Sequence, residues 1–456
     1  MRPFRWKNNP IVNGKLFPRF SQPSDGFYVG SGLSRHHTVQ PQNNRGINPL
    51  LHCARNLERF FSIFGPKSLL SFIFIIAISN SGCAEDKPQD KSSGDPYYAF
   101  PTKTLVQATE QFNRRDEPSL VALKDGIFLL AYANHEGTSD NDTSDIAAIR
   151  FDKNGDQVGE EWILVESPPD GLNAMSPAIR RLKDGRLGMA YSYRLSTKIA
   201  RREFRYSEDE GKTWSDPVVV AEGQYKTGRH DSLLVLDNGT LLAPCHCTDD
   251  WDKHYLHVRV SRSTDGGKSW TLGEQKIETP YAVWPEGSSY HGVRFESGCI
   301  EPFAVQRADG SILMTLRTGM GTQFFSESFD EGVSWTQPKS LGIVSPVAPA
   351  NLTNIPGTDD LLLVWTSSFN VTQRLLGLRH EISAAISKDG GKSWPHEYRK
   401  VLINDQVNSN DYPFVKYIGD DAWVIYRSNP GKVMLARATS TKLMKVPVSW
   451  LYERAD

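Results

Sequence analysis

Several apolar segments of this 456-residue chain begin or end on side chains that can transfer protons or bind anions. The residues that precede such segments include Asp116, Glu117, His230, Asp231, Glu301, Asp411 and Tyr412, and those that follow them include Arg194, Arg317 and Arg427. Carboxylates can serve as acids or bases, and the planar guanidinium of arginine offers paired donors to an anion. If the fold brings these side chains together, they form a catalytic funnel. The alternative is a solvated rim of incidental ion pairs.

Six hairpin-like segments carry these side chains. Each consists of an apolar strand, a turn of the Asp-Gly type and a second apolar strand. The six are "PSLVALKDGIFLLAY", "PAIRRLKDGRLGMAY", "DSLLVLDNGTLLAP", "EPFAVQRADGSILMTLR", "ANLTNIPGTDDLLLVW" and "YPFVKYIGDDAWVIYR". The entry and the exit of a hairpin lie at the same end, so hairpins arranged around an axis bring both sets of side chains to one rim.

A second repeat, Ser-x-Asp-x-Gly-x-Thr/Ser-Trp, alternates with the hairpins and indicates the architecture. Its copies are "SEDEGKTW", "STDGGKSW", "SFDEGVSW" and "SKDGGKSW". A degenerate copy follows the first hairpin, and the last hairpin has none. The spacing of about 60 residues is typical of one propeller blade with its loops. We predict an all-β fold, a six-bladed β-propeller of four-stranded antiparallel blades over residues 97–456. A solenoid of hairpins is less favoured, because closure of a propeller removes exposed sheet edges.

The first hundred residues differ from the rest. Residues 1–66 have no sustained periodicity and are expected to be a disordered leader or a mis-assigned gene start. Residues 67–83 combine a lysine, a short apolar run and small residues before Cys83, which predicts a signal segment of the secretory or lipoprotein type. Residues 84–96 read as a polar tether. Both types of signal imply export to the periplasm or cell surface, with a lipid on Cys83 as one alternative and simple secretion as the other.

Composition excludes some classes of partner and cofactor. The formal net charge is −1, without long basic runs, so nucleic-acid binding is not expected. Cys245, His246, Cys247 and Cys299 lack the usual spacing of a metal site, and buried thiols are the favoured interpretation. We therefore predict neither a metal nor another cofactor.

The repeats resemble the Asp-boxes, or BNR repeats, of the sialidase superfamily, and the resemblance spans most of residues 100–440. The segments "GCIEPFAVQRADGSILMTLR", "RHEISAAIS", "NDYPFVKYIGDDAWVIYR" and "GTSDNDTSDIAAIRF" are similar to the family's site motifs. The resemblance implies a nucleophile at Tyr412, its activating glutamate at Glu301, two arginines of a carboxylate-binding triad at Arg317 and Arg379, and an acid/base at Asp140, with Asp142 as the alternative. The activity it implies is release of terminal sialic acid from glycans by an exo-α-sialidase.

A tyrosine nucleophile suits such a substrate. Sialic acid carries a carboxylate on the carbon under attack, so a carboxylate nucleophile would be repelled and a neutral phenol would not. The phenol has a reference pKa of about 10, so Glu301 is expected to remove its proton during the attack. Asp140 is expected to protonate the leaving oxygen and then to activate water.

Two positions depart from the family pattern. Sialidases open the first blade with Arg-x-Pro, whereas this chain has Asp116-Glu117-Pro118. They also end the last hairpin with a glutamate that braces that arginine, whereas this chain has Arg427. We expect an interchange of charges, with Arg427 meeting Asp116 and both residues taking part in substrate binding; entry of Arg114 or Arg115 into the mouth is the alternative. The departure also supports two other functions: a propeller glycosidase or polysaccharide lyase for a uronic or deoxy sugar, and a glycan-binding propeller without catalysis.

Overall fold

The computed structural model describes residues 96–253, 255–279, 289–290, 293–294, 297–368, 379–431 and 438–454. All of them belong to one compact unit, Lys91–Asp456. The predicted leader, the signal segment with Cys83 and all but the last residue of the tether lie outside the described residues. Within the described part of the chain, no helix is both long and apolar enough to cross a bilayer.

The described residues are almost entirely strands, joined by tight turns. The strands are β1 (Tyr97–Tyr98), β2 (Thr102–Val106), β3 (Arg114–Ala122), β4 (Phe128–His135), β5 (Ser144–Phe151), β6 (Gln157–Val165), β7 (Asn173–Arg181), β8 (Leu187–Arg194), β9 (Ile199–Ser207), β10 (Val218–Gln224), β11 (Leu234–Val235), β12 (Leu241–Cys247), β13 (Tyr255–Ser263), β14 (Thr271–Leu272), β15 (Ser289–Tyr290), β16 (Val293–Arg294), β17 (Ser297–Gln306), β18 (Ile312–Thr318), β19 (Thr322–Ser328), β20 (Lys339–Val344), β21 (Ala350–Asn354), β22 (Leu361–Thr366), β23 (Glu381–Ser387), β24 (Arg399–Asn404), β25 (Ser409–Ile418), β26 (Asp421–Asn429) and β27 (Ser440–Pro447). Helical turns in this part are Trp251–Lys253, His396–Tyr398 and α1 (Val448–Tyr452).

Antiparallel pairing groups most of these strands into six blades built on four strands, as the hairpin repeat predicted; β1 adds a fifth strand to the fifth blade by pairing with β24, and β15 pairs with β16 separately. The first five blades are β3 to β6, β7 to β10, β11 to β14, β17 to β20 and β21 to β24. The sixth blade combines β25, β26 and β27 with β2 from the start of the domain. This closing strand explains why the last hairpin lacks a box: its fourth strand does not follow it in sequence.

The hydrophobic core lies between the blades. In the described residues it forms six clusters, and each joins strands of two neighbouring blades. The cluster between the sixth and first blades contains Val106, Phe414 and Trp423 together with Leu120 and Leu130. Because the sixth blade packs against the first, the apolar faces close into a ring without an unpaired end.

The Ser-Asp-Gly-Trp boxes form the turns that their composition predicted. In the first box, Asp209 accepts the hydroxyl of Thr213 at 2.6 Å, and the Gly211 amide donates to Ser207 Oγ at 2.8 Å. Gly211 has a φ of 81°, a conformation that glycine adopts without steric cost. The indole of Trp214 donates to the Gly211 carbonyl at 3.3 Å. Each box therefore ties the third strand of its blade to the start of the fourth.

The closing strand gives a stability prediction. Val106 is 2% exposed in the cluster between the sixth and first blades, whereas Thr104 on the same strand is exposed. An unpaired carboxylate at position 106 has no compensating partner, so Val106→Asp is expected to lower the free energy of unfolding by about 3 kcal/mol or more. Thr104→Asp is the matched control and should change it by less than about 0.5 kcal/mol. Urea unfolding followed by tryptophan fluorescence measures both; equal small effects would show that β2 does not close the ring.

Candidate active site

The inner strands of most blades carry a β-bulge at the same position. The pairing register shifts between Asp116 and Ser119, Met175 and Ala178, Ile300 and Phe303, and Asp411 and Phe414. Glu117, Ser176, Glu301 and Tyr412 lie inside these bulges with φ between 48° and 54°, and Asp231 in the third blade has a φ of 56°. A proline follows four of the five, and it cannot donate to a sheet. In a regular strand successive side chains point to opposite faces of the sheet. The bulges interrupt this alternation and change the direction in which these side chains point.

The bulge residues of different blades meet at the centre of the propeller. Tyr412 of the sixth blade donates its hydroxyl hydrogen to Glu301 of the fourth blade, although the fifth blade separates them in the ring. His230 of the third blade stacks on the Tyr412 ring with a centroid distance of 5.6 Å. The guanidinium of Arg229 donates to the Pro413 carbonyl at 2.6 Å. These contacts show that the hairpin entries converge on one mouth, as the repeat predicted.

Tyr412, Glu301 and Arg317 form a connected group. Arg317 Nη1 donates to Glu301 Oε2 at 2.7 Å and lies 3.1 Å from the Tyr412 hydroxyl. Burial and the Glu301 carboxylate raise the pKa of Tyr412 above its ordinary value, so the phenol is protonated at rest. Burial alone would raise the pKa of Glu301, but Arg317 and the tyrosine hydroxyl hold it below its ordinary value. The group therefore pairs a neutral phenol with an ionised base.

The two other predicted arginines lie against the same tyrosine. The guanidinium carbon of Arg427 lies 4.1 Å from the centre of the Tyr412 ring, and that of Arg379 lies 5.7 Å from it. Both hold the carboxylate of Asp411: Arg427 through donors at 2.6 and 2.7 Å, and Arg379 through one at 2.8 Å. An arginine over an aromatic face favours negative charge developing on that ring.

The interchanged residues of the first and sixth blades are in contact. Arg427 Nη1 donates to Asp116 Oδ2 at 3.1 Å, and Arg114 Nε donates to the same oxygen at 2.8 Å. Arg114 thus enters the mouth, where it also donates to Glu117 at 3.1 Å. Arg115 turns the other way and donates to Asn134 at 2.9 Å. The expected meeting of Asp116 with Arg427 and the expected entry of one arginine are both present.

Asp140 lies on the loop between β4 and β5, beside Arg114. Arg114 donates to its carboxylate, and the backbone carbonyl of Asp140 accepts from Arg194 and, at 2.8 Å, from Asn173. Its side chain is 50% exposed. Partial burial opposes ionisation, but the charge of Arg114 prevails and lowers the pKa of Asp140 below its ordinary range. Asp142 instead closes the loop by accepting the Ser139 amide at 2.7 Å.

Several residues of the mouth had no predicted role. Glu117 and Ser176 are joined by a hydrogen bond of 2.6 Å between neighbouring blades. Asp411 is fully buried and forms ion pairs with Arg379 and Arg427. Glu117 and Ser176 could have been identified from the proline that follows each of them, because a proline also follows Glu301 and Tyr412. Asp231 has a structural role instead, because Arg180, Lys416 and Ser119 hold it.

The three cysteines of the described residues, Cys245, Cys247 and Cys299, are buried and not in disulfides. His246 accepts the Glu301 amide at 3.3 Å through Nδ1 and contacts Thr227 Oγ1 at 2.8 Å through Nε2. His246 thereby supports the bulge of the fourth blade. Among the described residues, no three His, Cys, Asp or Glu side chains are grouped as a metal site.

Comparison with known proteins assigns the class. Residues 129–421 match the model of the BNR repeat-like domain family, and the chain belongs to this family. A sialidase of Bacteroides fragilis is 25% identical over 293 residues, 60% of this chain and 48% of the relative. A sialidase of Paraclostridium sordellii is 23% identical over 273 residues, 51% of this chain and 62% of the relative. The matches thus span about half to three fifths of these relatives.

Solved structures show the same fold. The intramolecular trans-sialidase of Ruminococcus gnavus superposes with a TM-score of 0.57 at 14% identity, covering 80% of this chain and 99% of that one. A protein of unknown function from Dyadobacter fermentans superposes with a TM-score of 0.58 at 17% identity, covering 77% and 99%. The architecture is therefore that of a sialidase-type propeller.

Proposed function

We propose that this protein is a glycoside hydrolase of the exo-α-sialidase type, which releases a terminal sugar through a covalent intermediate on Tyr412. The observation that carries the proposal is the hydrogen bond from the buried Tyr412 hydroxyl to Glu301, with Arg317 donating to that carboxylate. A nucleophile that contacts a base, which is itself oriented by a third group, is the signature of nucleophilic catalysis.

In the first step, the Tyr412 oxygen bonds to the anomeric carbon while its proton passes to Glu301. The glycosidic bond breaks, and the leaving oxygen takes a proton from a carboxylic acid. In the second step, a water oxygen bonds to the anomeric carbon and gives a proton to that carboxylate, while Glu301 returns its proton to the departing Tyr412 oxygen. Two displacements retain the anomeric configuration.

The surroundings of Tyr412 lower the cost of the first step. Its pKa is raised at rest, so attack requires that proton transfer to Glu301 accompany bond formation. Negative charge that develops on the phenol oxygen lies 3.1 Å from Arg317, and Arg427 covers the ring face. Fixed positive charges aimed at developing negative charge are among the largest contributions to catalysis.

Sialic acid is the first substrate to test. The two curated relatives are sialidases, and Arg317, Arg379 and Arg427 all lie beside the tyrosine. Guanidinium groups bind carboxylates through paired donors, which suits a sugar with a carboxylate at its anomeric carbon. Asp116 contributes by orienting Arg427.

One observation favours a second candidate, a glycosidase for a sugar without that carboxylate. Arg379 and Arg427 already hold Asp411, whose carboxylate takes the donors that a substrate carboxylate would use. The charges of these arginines are thus partly neutralised within the protein. A neutral or deoxy sugar fits this arrangement without displacing Asp411.

The experiment is sugar release by the purified protein. Terminal sialosides, 3′-sialyllactose first, are compared with α-linked uronic-acid and rhamnose glycosides, and the first-formed anomer is followed by proton NMR. We expect release from one class with retention of configuration. Inversion would contradict the tyrosine intermediate, and glycan binding without release from any substrate would contradict the enzyme assignment.

We also propose that the protein is exported, because residues 67–83 have the composition of a signal segment. Lipid attachment at Cys83 and simple secretion remain the two alternatives. Metabolic labelling with a radioactive fatty acid distinguishes them, since only the lipoprotein is labelled and Cys83→Ser removes the label.

A further inference from the structure

We infer that Glu117, rather than Asp140, is the carboxylic acid that protonates the leaving oxygen and then accepts a proton from water. This inference rests on the proposed function. Glu117 occupies in the first blade the bulge position that Glu301 occupies in the fourth and Tyr412 in the sixth, with φ values of 54°, 48° and 53°. The same backbone conformation, a β-bulge with a positive φ, thus presents all three side chains at the mouth.

Glu117 is linked to the nucleophile by a short chain of contacts. Arg427 covers the Tyr412 ring and donates to Asp116 Oδ2, and Arg114 donates to that oxygen and to Glu117. The sixth and first blades are neighbours in the closed ring, so their inner strands flank the same side of the mouth.

A second chain of contacts joins the surroundings of Glu117 to the strand of the nucleophile. Ser176, which donates to Glu117, accepts at its backbone carbonyl from Arg202 at 2.9 Å. Arg202 also donates to the Arg229 carbonyl at 3.4 Å, and the Arg229 guanidinium donates to the Pro413 carbonyl, next to Tyr412, at 2.6 Å. Two buried arginines therefore connect the bulge beside Glu117 with the bulge that carries Tyr412.

The environment of Glu117 favours the form that a proton donor needs. Burial is the main cause, and with the charge of Asp116 it raises the pKa of Glu117 to about 7. Arg114 and the Ser176 hydroxyl oppose this shift without cancelling it. The charged groups that act around Glu117 are Asp116 and Arg114 on β3, Asp140 on the loop between β4 and β5, Arg202 on β9 and Arg229 before β11.

Asp140 shares the same arginine but is shifted in the opposite direction. Arg114 donates to both carboxylates, and the pKa of Asp140 is held below its ordinary range. Neighbouring carboxyl groups with diverging pKa values indicate which is the acid. Asp140 stays ionised at neutral pH, and its charge is one of those that keep the proton on Glu117.

In this scheme Glu117 both supplies the proton for the leaving group and recovers a proton from water. Its carboxyl proton passes to the leaving oxygen as the glycosidic bond breaks, which leaves a carboxylate. That carboxylate then takes one proton from the attacking water, and the acid is restored. By this scheme activity requires protonated Glu117, so the wild-type rate should fall as pH rises above about 7.

The test compares Glu117→Gln with Asp140→Asn on two leaving groups. One probe is the 4-methylumbelliferyl sialoside, whose leaving group needs little protonation. The other is 3′-sialyllactose, whose leaving group needs a proton. If release assays identify another sugar, matched aryl and disaccharide glycosides of that sugar replace the two probes. General acid catalysis contributes about 10²–10⁴-fold, so Glu117→Gln should lose at least about 10²-fold in kcat/KM on the disaccharide and less than about tenfold on the aryl glycoside. Asp140→Asn removes one of the charges that raise the pKa of Glu117, so both variants are assayed well below that pKa, where Glu117 is protonated in wild type and in Asp140→Asn alike; there Asp140→Asn should affect both probes equally.

A second variant guards against misfolding of Glu117→Gln. Ser176→Ala removes a donor that stabilises the ionised carboxylate, so it should shift the alkaline limb of the pH profile upward. A leaving-group effect in Asp140→Asn and none in Glu117→Gln would overturn the inference, as would an unshifted limb in Ser176→Ala. Both results leave the proposed function intact if Tyr412 is still required; a wild type that cleaves no glycoside overturns both.

Discussion

Tyr412→Phe is expected to abolish glycoside release while the fold remains intact. The substitution removes only the oxygen that would bond to the anomeric carbon, and the ring still stacks on His230 and beneath Arg427. Loss of a nucleophile removes the two-step route, and comparable knockouts cost several orders of magnitude, so kcat should fall by at least about 10³-fold. Glu301 keeps its ion pair with Arg317 at 2.7 Å and is not left unpaired.

The matched control is Tyr426→Phe, in the same blade. Tyr426 is buried in the cluster between the fifth and sixth blades, away from Glu301. We expect it to keep nearly full activity, which would show that loss of a buried hydroxyl alone does not inactivate the protein. Mass spectrometry after incubation with a 2,3-difluorinated sialic acid should find the sugar on a peptide containing Tyr412. Trapping on another residue, or a Tyr412→Phe variant within tenfold of wild type, would refute the assigned nucleophile.

Much of the fold was predictable because its determinants are local. Each hairpin has its turn residues within one short segment, and each Asp-box makes its hydrogen bonds over four residues, as between Asp209 and Thr213. The closing strand was not predicted. β2 is five residues long and half exposed, and it pairs with residues more than 300 positions later, for which a single sequence carries no local signal.

The site was predictable in its members but less so in its connections. The contact of Tyr412 with Glu301 and Arg317, and that of Asp116 with Arg427, followed from hairpin ends that share one rim. The sequence did not predict that the adjacent residues Asp411 and Tyr412 would both contact the arginines of the site. In a regular strand Asp411 and Tyr412 would lie on opposite faces. The bulge between Asp411 and Phe414 breaks that alternation, so both side chains contact the same arginine.

The second large effect is expected from Arg427→Met, on stability. Arg427 is 2% exposed and joins two fully buried carboxylates, Asp411 and Asp116. Methionine fills much of the same volume but leaves these carboxylates with fewer donors. Removing one partner from a buried ionic network costs about 3–5 kcal/mol, because the remaining charges stay buried without compensation.

The surface arginine Arg262 supplies the control. It pairs with Glu331 at 2.8 Å, but the two side chains are 27% and 49% exposed. Exposed ion pairs contribute about 0–1 kcal/mol, so Arg262→Met should change the free energy of unfolding by no more than that. Equal losses in the two variants would show that the buried network is no stronger than a surface pair.

The pH dependence separates charge from packing. Burial opposes ionisation of Asp411, but Arg427 and Arg379 lower its pKa to about 2. Its stabilising contribution is therefore complete above the unfolded pKa of about 4 and is lost as pH falls toward 2. In Arg427→Met this carboxyl loses its main partner and protonates more readily. The deficit relative to wild type should thus be greatest at pH 7 and shrink below about pH 4, and urea unfolding at pH 7 and pH 3.5 measures it. A deficit that is the same at both pH values would assign the effect to packing around Tyr412 and not to the charges.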